Sequence, residues 1–158
     1  MGPLNNRAQF DFVAGLIERC RNEGLTVLTK GTKLDPKTWV HGYFMLPSII
    51  LGARESHEIV RCEQFGPVIP VMPFDSEDDA VARVNDTPYG LRASIWTRNR
   101  VRAEELADQL EAGAVFWNNH GIFRDLHIEF PGIKQSGFSR DSRTAALDHY
   151  VDTYGFAE

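Results

Sequence analysis

The segment Glu63-Gln64-Phe65-Gly66-Pro67 combines residue types that could bind a nucleotide cofactor. A carboxylate only accepts hydrogen bonds and can take both hydroxyls of a ribose, and a nearby aromatic ring can pack against a flat heterocycle. Gly66 permits backbone angles that are closed to other residues, and Pro67 fixes its own φ, so the turn is expected to hold the acid and the ring in place. The alternative interpretation is an exposed acid beside a core phenylalanine at the entrance of a strand.

Helices and strands that alternate along the chain must position this segment. Asn5 or Asn6 can cap a helix that runs to about Glu23, because apolar residues recur there at helical spacing, and Gly24 is expected to end it. Further strands are predicted at 25–29, 68–74, 93–97 and 114–117, with helices at 76–85 and 99–111, and Gly113 is expected to end the second helix. Residues 142–149 could form a short helix, and 150–154 a final extended piece. This alternation predicts an α/β fold with a layered, largely parallel sheet and flanking helices. Pro70 and Pro73 predict that the second of these strands lies at a sheet edge or is irregular.

Composition and charge exclude several classes of function. With 158 residues, 42% hydrophobic and 25% charged, the chain is typical of a globular protein of one-domain size. Its net charge of −5 argues against nucleic acid as a partner, since no basic stripe could neutralise phosphates. We expect no membrane segment and no signal peptide, and two cysteines without a disulfide framework favour the cytoplasm. No metal site is expected, because the histidines lack ligand spacing.

The segment from Glu63 to Pro67, called the cofactor segment from here on, and four others together resemble the aldehyde dehydrogenase superfamily. The four are Gly2-Pro3-Leu4, Asn85-Asp86-Thr87-Pro88-Tyr89-Gly90-Leu91, Leu110-Glu111-Ala112-Gly113 and Lys134-Gln135-Ser136-Gly137. The resemblance runs along essentially the whole chain in the same order and covers only the C-terminal part of the catalytic domain of such an enzyme. It implies NAD or NADP as the cofactor of the complete enzyme. By that match Glu63 binds the nicotinamide ribose and Phe65 lies near the nicotinamide.

The same resemblance implies that this chain carries no catalytic residue. Aldehyde oxidation needs a cysteine thiolate as nucleophile, a nicotinamide that takes the hydride, and a glutamate that activates water. In the family, the nucleophile and the base precede the segment matched here. Cys62 stands where the family commonly has an acid, and no basic cluster in the sequence would lower its pKa. We therefore expect the isolated chain to bind nucleotide weakly or not at all and to show no turnover.

The long segment 118–143 is expected to carry the contacts to the aldehyde. His120, Phe123 and Phe130 would put aromatic and titratable groups near the mouth of the pocket, or they could be packing residues. Phe130 matches the phenylalanine of the Pro-Phe-Gly-Gly motif that borders the aldehyde tunnel in the family. The pattern departs there, with Glu129 in place of the proline and Pro131 in place of the first glycine.

The C-terminal stretch from Tyr150 to Gly155 resembles a segment that family members use in oligomerisation. We therefore divide the chain into 1–149, a C-terminal portion of the catalytic domain, and 150–158, an oligomerisation strand and tail. An exposed strand can pair with another chain, which predicts a homo-oligomer. Two hypotheses follow: a C-terminal fragment of an enzyme that oxidises an aldehyde to a carboxylic acid with NAD(P)+, or a non-catalytic oligomerisation or regulatory module derived from that family.

Overall fold

The computed structural model describes residues 1–120, 130–138, 140–141, 150–152 and 154–156. The chain divides into two compact units, unit 1 from Met1 to Phe74 and unit 2 from Asp75 to Glu158. Within the described residues, no helix is both long and apolar enough to cross a membrane.

Unit 1 contains a three-stranded sheet with helices in its connections. Its elements are α1 (Arg7–Asn22), β1 (Thr26–Thr29), α2 (Pro36–Trp39), β2 (Ser48–Leu51), α3 (Glu58–Arg61) and β3 (Val68–Val71). The order is β1-β2-β3, with β1 antiparallel to β2 and β2 parallel to β3. Ile50 of β2 lies opposite Val27 on one side and Pro70 on the other. Among the strands of the described residues, β3 therefore lies at the edge of its sheet, as Pro70 predicted.

The core of unit 1 forms between α1 and the sheet. The Asn6 side chain caps α1 by accepting from the Gln9 amide at 2.9 Å, and Gly24 follows the helix with φ +81°. One face of α1 contributes the buried residues Val13, Leu16, Ile17 and Cys20, which cluster with Ile50, Ala53, Ile59 and Val68. A bidentate ion pair between Arg19 and Glu58, at 2.7 and 2.9 Å, joins α1 to α3. The predicted apolar stripe of the first helix is thus confirmed.

The described part of unit 2 contains two helices and several short strands. They are α4 (Glu77–Asn85), β4 (Tyr89–Gly90), β5 (Arg92–Ile95), α5 (Arg100–Ala107), β6 (Ala114–Trp117), β7 (Phe130–Pro131), β8 (Ile133–Lys134) and β9 (Arg140–Asp141). β5 and β6 are parallel, whereas β4 pairs with β8 and β7 with β9 in antiparallel fashion. Ser76 and Asn99 cap the two helices through their side-chain oxygens. These caps satisfy amides that have no partner inside the helix.

The predicted α/β class is confirmed, and the structure adds detail to the sheets. In the described residues the strands form one three-stranded and three two-stranded sheets, with parallel pairing at β2–β3 and β5–β6. The second predicted helix of unit 2 ends at Ala107 instead of Glu111. The predicted loop 118–143 includes the short strands β7, β8 and β9. The helix predicted at 142–149 lies outside the described residues, and no strand is present in 150–152 or at 154.

Candidate functional site

The cofactor segment lines an open cleft in unit 1. The cleft has a volume of about 530 Å³, and its walls are residues 1–4, Met45 and residues 63–67. The Leu4 amide donates to the carbonyl of Tyr43 at 2.8 Å, which ties the N-terminal wall to the segment before β2. Two of the motifs behind the family resemblance, Gly2-Pro3-Leu4 and the cofactor segment, thus lie in one cavity.

Two glutamine side chains fix the backbone of the cofactor segment. Gln64 accepts from the Gly66 amide with its Oε1 at 3.1 Å and donates from its Nε2 to the carbonyl of Val68 at 2.8 Å. Gln9 of α1 donates to the carbonyl of Gln64 and, at 3.4 Å, to that of Phe65. Sequence reasoning gave no role to either side chain. The contact from Gln9 of α1 to this loop leaves no local signal, whereas Gln64 acts within the segment itself.

The unusual backbone angle lies at Phe65 and not at Gly66. Phe65 has φ +40°, in the left-handed region that side chains other than glycine rarely adopt, and Gly66 is not among the residues with positive φ. The expectation that Gly66 uses its conformational freedom is therefore wrong. Gly66 is needed for space, because a methyl carbon built on it would lie 2.6 Å from Cγ2 of the buried Val13.

Glu63 and Phe65 both line the cleft, and both side chains are exposed. The ring of Phe65 is 75% exposed, so it is not a core residue, as the alternative interpretation required. Exposing a phenylalanine forgoes roughly 1.5 to 3 kcal/mol of burial. A left-handed angle at such a residue adds roughly 1 to 3 kcal/mol of strain, and strain of this kind clusters at ligand sites. The arrangement offers a ligand one carboxylate and one aromatic face.

The two cysteines lie in different surroundings. Cys20 is only 1% exposed within the core. Burial raises the pKa of its thiol, and the carboxylates of Glu23 and Glu58 add to that effect. Cys62 is exposed at the end of α3, where it adjoins Glu63. Within the described residues, no group of three or more His, Cys, Asp or Glu side chains is arranged to hold a metal ion.

His120 lies in unit 2, beyond the carboxyl end of β6. Its Nδ1 is 3.0 Å from the hydroxyl of Ser94 on the neighbouring parallel strand β5. Asn118, with φ +49°, fixes the turn before it, since its side chain accepts from the Thr97 amide at 3.0 Å and donates to the Thr97 carbonyl at 2.9 Å. Ligands of parallel strands gather at their carboxyl ends, so His120 occupies such an edge.

The other two predicted substrate residues are less fully described. Phe123 lies outside the described residues. Phe130 of β7 pairs with Asp141 of β9 through the backbone. The following segment is anchored by Lys134, whose Nζ donates to the carbonyls of Asn85 at 2.7 Å and Thr87 at 3.1 Å. Lys134 also pairs with Glu111 at 2.5 Å and has φ +52°. This lysine therefore holds three of the recognised motifs together within unit 2.

Comparison with known proteins finds aldehyde dehydrogenases that match nearly the whole chain. The sequence profile of the aldehyde dehydrogenase family matches residues 1–154. The chain is 36% identical over 153 residues to mouse 4-trimethylaminobutyraldehyde dehydrogenase and 39% identical over 150 residues to betaine aldehyde dehydrogenase of Brucella anthropi, covering 95% of this chain in each case. The structure matches the Pseudomonas aeruginosa aldehyde dehydrogenase KauB with a TM-score of 0.85 at 37% identity, over 95% of this chain and 30% of that one. It also matches the NAD+ complex of a Bacillus cereus aldehyde dehydrogenase, with a TM-score of 0.84 at 36% identity, over 96% of this chain and 30% of that one.

Both units are of the α/β class, and the segment from Glu63 to Pro67 lines a cleft in unit 1. This chain belongs to the aldehyde dehydrogenase family. It spans 31% of the length of the mouse and Brucella relatives.

Proposed function

We propose that this chain supplies the C-terminal part of the catalytic domain of an enzyme that oxidises an aldehyde to a carboxylic acid with NAD+ or NADP+. The observation that carries the proposal is the cleft, where Glu63 and Phe65 present an acid and an exposed ring side by side. Family membership supports the reaction class, and two related aldehyde dehydrogenases, from Bacillus cereus and Staphylococcus aureus, have structures in complex with NAD+.

The residues of the cleft fit the nicotinamide end of such a cofactor. The carboxylate of Glu63 would accept hydrogen bonds from the ribose hydroxyls, and the ring of Phe65 would pack near the nicotinamide. When bound, the cofactor supplies the acceptor for the hydride that leaves the aldehyde. Gln64 and Gln9 would act before any chemistry, because they hold the loop in its strained form and so lower the entropic cost of binding.

We propose that the nucleophile and the general base are not residues of this chain. Burial raises the pKa of Cys20, so its thiol ionises poorly. Among the described hydrogen bonds, none joins the exposed Cys62 thiol to a basic side chain that would lower its pKa. The isolated chain is then expected to reduce no NAD+ with any aldehyde. A robust rate that Cys62→Ser abolished would contradict this assignment.

A chimaera tests the proposed role of Glu63. The chain would replace the matching 150 residues of the Brucella anthropi betaine aldehyde dehydrogenase, to which it is 39% identical. We expect NAD+-dependent oxidation of betaine aldehyde and, in Glu63→Gln, a KM for NAD+ raised about tenfold or more, since hydrogen bonds to a charged group contribute about 1.5 to 3 kcal/mol.

The matched control is Glu23→Gln, which removes an exposed carboxylate of unit 1 that does not line the cleft. The control should leave the KM for NAD+ unchanged. Equal kinetic constants in Glu63→Gln and the unsubstituted chimaera would remove the support for a ribose contact.

For the aldehyde, we propose contacts from His120, Phe123 and Phe130. The hydrogen bond between the Ser94 hydroxyl and Nδ1 of His120 supports the role of His120, because it fixes one ring nitrogen and leaves Nε2 to meet a polar group. In the same chimaera, His120→Phe is expected to change the KM for the aldehyde and to leave that for NAD+ unchanged.

We also propose that 150–158 mediates self-association. The side chains of Tyr150, Val151, Tyr154 and Phe156 are all exposed, and a run of exposed aromatic residues favours burial against a second copy. Sedimentation should give more copies per particle for the full chain than for a chain that ends at residue 149. The same number of copies in both would contradict this role. The two free thiols, Cys20 and Cys62, favour a reducing compartment such as the cytoplasm.

A further inference from the structure

Unit 1 has a second depression that the proposed function does not use. This groove has a volume of about 430 Å³, and it is lined by one side of α1 and by residues between Thr29 and Ser48. Pockets for small molecules commonly measure roughly 300 to 1,000 Å³. Ala14 and Ile17 of α1 provide apolar wall. The groove is therefore large enough for a small organic ligand.

Two aromatic rings contribute to the wall of the groove. Trp39 and Phe44 contact each other in a tilted arrangement, with their centroids 5.3 Å apart and their planes inclined by 30°. Both rings line the groove, and both side chains remain partly exposed. A flat ligand could stack on these rings, because aromatic groups favour offset-stacked contacts with one another.

Two hydroxyls, one on the buried Ser48 and one on the exposed Thr29, give the groove a hydrogen-bond donor. Ser48 is only 3% exposed, and its Oγ lies 3.0 Å from Oγ1 of Thr29. Each hydroxyl carries one proton, and the single bond between them uses one, so the pair retains one O–H that can donate. Both residues line the groove. An acceptor oxygen on a ligand would satisfy that donor.

The groove also contains a cation that is available to a ligand. Arg21 lines it but is paired with Glu18, which also lines it. Lys33 is different, because among the described residues it forms no ion pair and its Nζ lies 5.7 Å from the centroid of the Trp39 ring. The ammonium thus lies over the Trp39 ring, where it could meet an anionic group of a ligand that packs against the two rings.

We propose that this groove binds a planar aromatic carboxylate. The ring would stack on Trp39 and Phe44, and the carboxylate would accept from Lys33 and from the hydroxyl pair of Thr29 and Ser48. The inference goes beyond the proposed function and does not depend on it, since neither Glu63 nor Phe65 lines the groove.

Binding of 2-naphthoate and of its neutral analogue 2-naphthamide to the full chain tests the proposal. Amide signals of Ala14 and Ile17 in nitrogen-resolved NMR spectra should shift saturably with both probes. Lys33→Gln should weaken 2-naphthoate about tenfold, the value of a hydrogen bond to a charged group, and leave 2-naphthamide unchanged. Trp39→Leu should weaken both probes.

Lys37→Gln is the matched control, because Lys37 lies in α2 but does not line the groove. It should leave both affinities unchanged. Phe44→Leu serves as a second test of stacking if Trp39→Leu alters the spectrum of unit 1 without a probe. Unshifted signals up to the solubility limit, equal affinities for the two probes, or an unaffected Lys33→Gln would each overturn the proposal.

Discussion

Gly66→Ala should destabilise unit 1 by about 1 to 3 kcal/mol, the usual cost of overpacking a core. The added methyl carbon would lie 2.6 Å from Cγ2 and 2.8 Å from Cγ1 of Val13. Carbon atoms in contact lie roughly 3.5 to 4.0 Å apart, so the overlap approaches about 1 Å. Val13 has no exposed surface and cannot turn into solvent, so the loop must move away from α1.

A double-mutant cycle separates this clash from other effects of the substitution. Val13→Ala alone should destabilise unit 1 through lost burial and a cavity, but it also makes room for the methyl group at position 66. The two substitutions together should therefore cost less than the sum of their separate costs, by about 1 to 2 kcal/mol. The coupling would have its origin in the contact between the methyl group at position 66 and the side chain of Val13.

Native-state hydrogen exchange of the β2 amides is the suitable assay. The chain has two compact units, so one global unfolding free energy need not describe it, whereas exchange reads each unit separately. Amides of β6 in unit 2 provide the internal control and should keep their protection. Additive costs for Gly66→Ala and Val13→Ala would refute the clash, and so would an unchanged exchange rate in Gly66→Ala.

Three further predictions concern individual contacts. Lys134→Met should lower the protection of β4 and β8 amides by about 1 to 3 kcal/mol, because two backbone carbonyls and a carboxylate lose their donor; unchanged exchange would argue against the anchor. Arg19 holds the pKa of Glu58 below its ordinary value, so this pair stabilises unit 1 above the ordinary carboxyl pKa of about 4.3 and the stabilisation is lost as the pH falls through the lower folded value. Acid titration of unit 1 in Glu58→Gln should lack that loss, and identical acid limbs would contradict the linkage. A disulfide reagent should modify the exposed Cys62 in the native chain and Cys20 only in denaturant, and rapid modification of both would contradict the burial of Cys20.

Local signals in the sequence were sufficient for several elements. Asn6 caps α1 and Gly24 follows it with a positive φ, as predicted, because a capping oxygen and a residue without a Cβ act on their immediate neighbours. β6 spans the predicted residues Ala114–Trp117. The cofactor segment could also be recognised, since its residue types and order define the motif without any knowledge of the fold.

Contacts between distant parts of the chain could not be predicted in this way. The bond from Gln9 to the backbone of the cofactor segment joins residues that are 55 positions apart, and no periodicity or turn preference indicates it. Phe65, with its positive φ, lies between Gln64 and Gly66, and the Gly66 amide donates to the side chain of Gln64. Sequence reasoning therefore selected the segment from Glu63 to Pro67 but expected the unusual backbone angle at Gly66, whereas it lies at Phe65.

Gly113 illustrates why a correct motif can carry a wrong explanation. The sequence suggested that this glycine ends a helix, but α5 ends at Ala107 and Gly113 has no positive φ. Instead, a methyl group built on it would overlap the carbonyl oxygen of Pro131, and its amide donates to the carbonyl of Gly90 at 2.9 Å. Pro131 is one of the residues that depart from the Pro-Phe-Gly-Gly pattern, and Gly113 is the residue whose backbone lies against it. The close approach of two backbones, and not the local geometry of a helix end, is the physical reason for a glycine at this position.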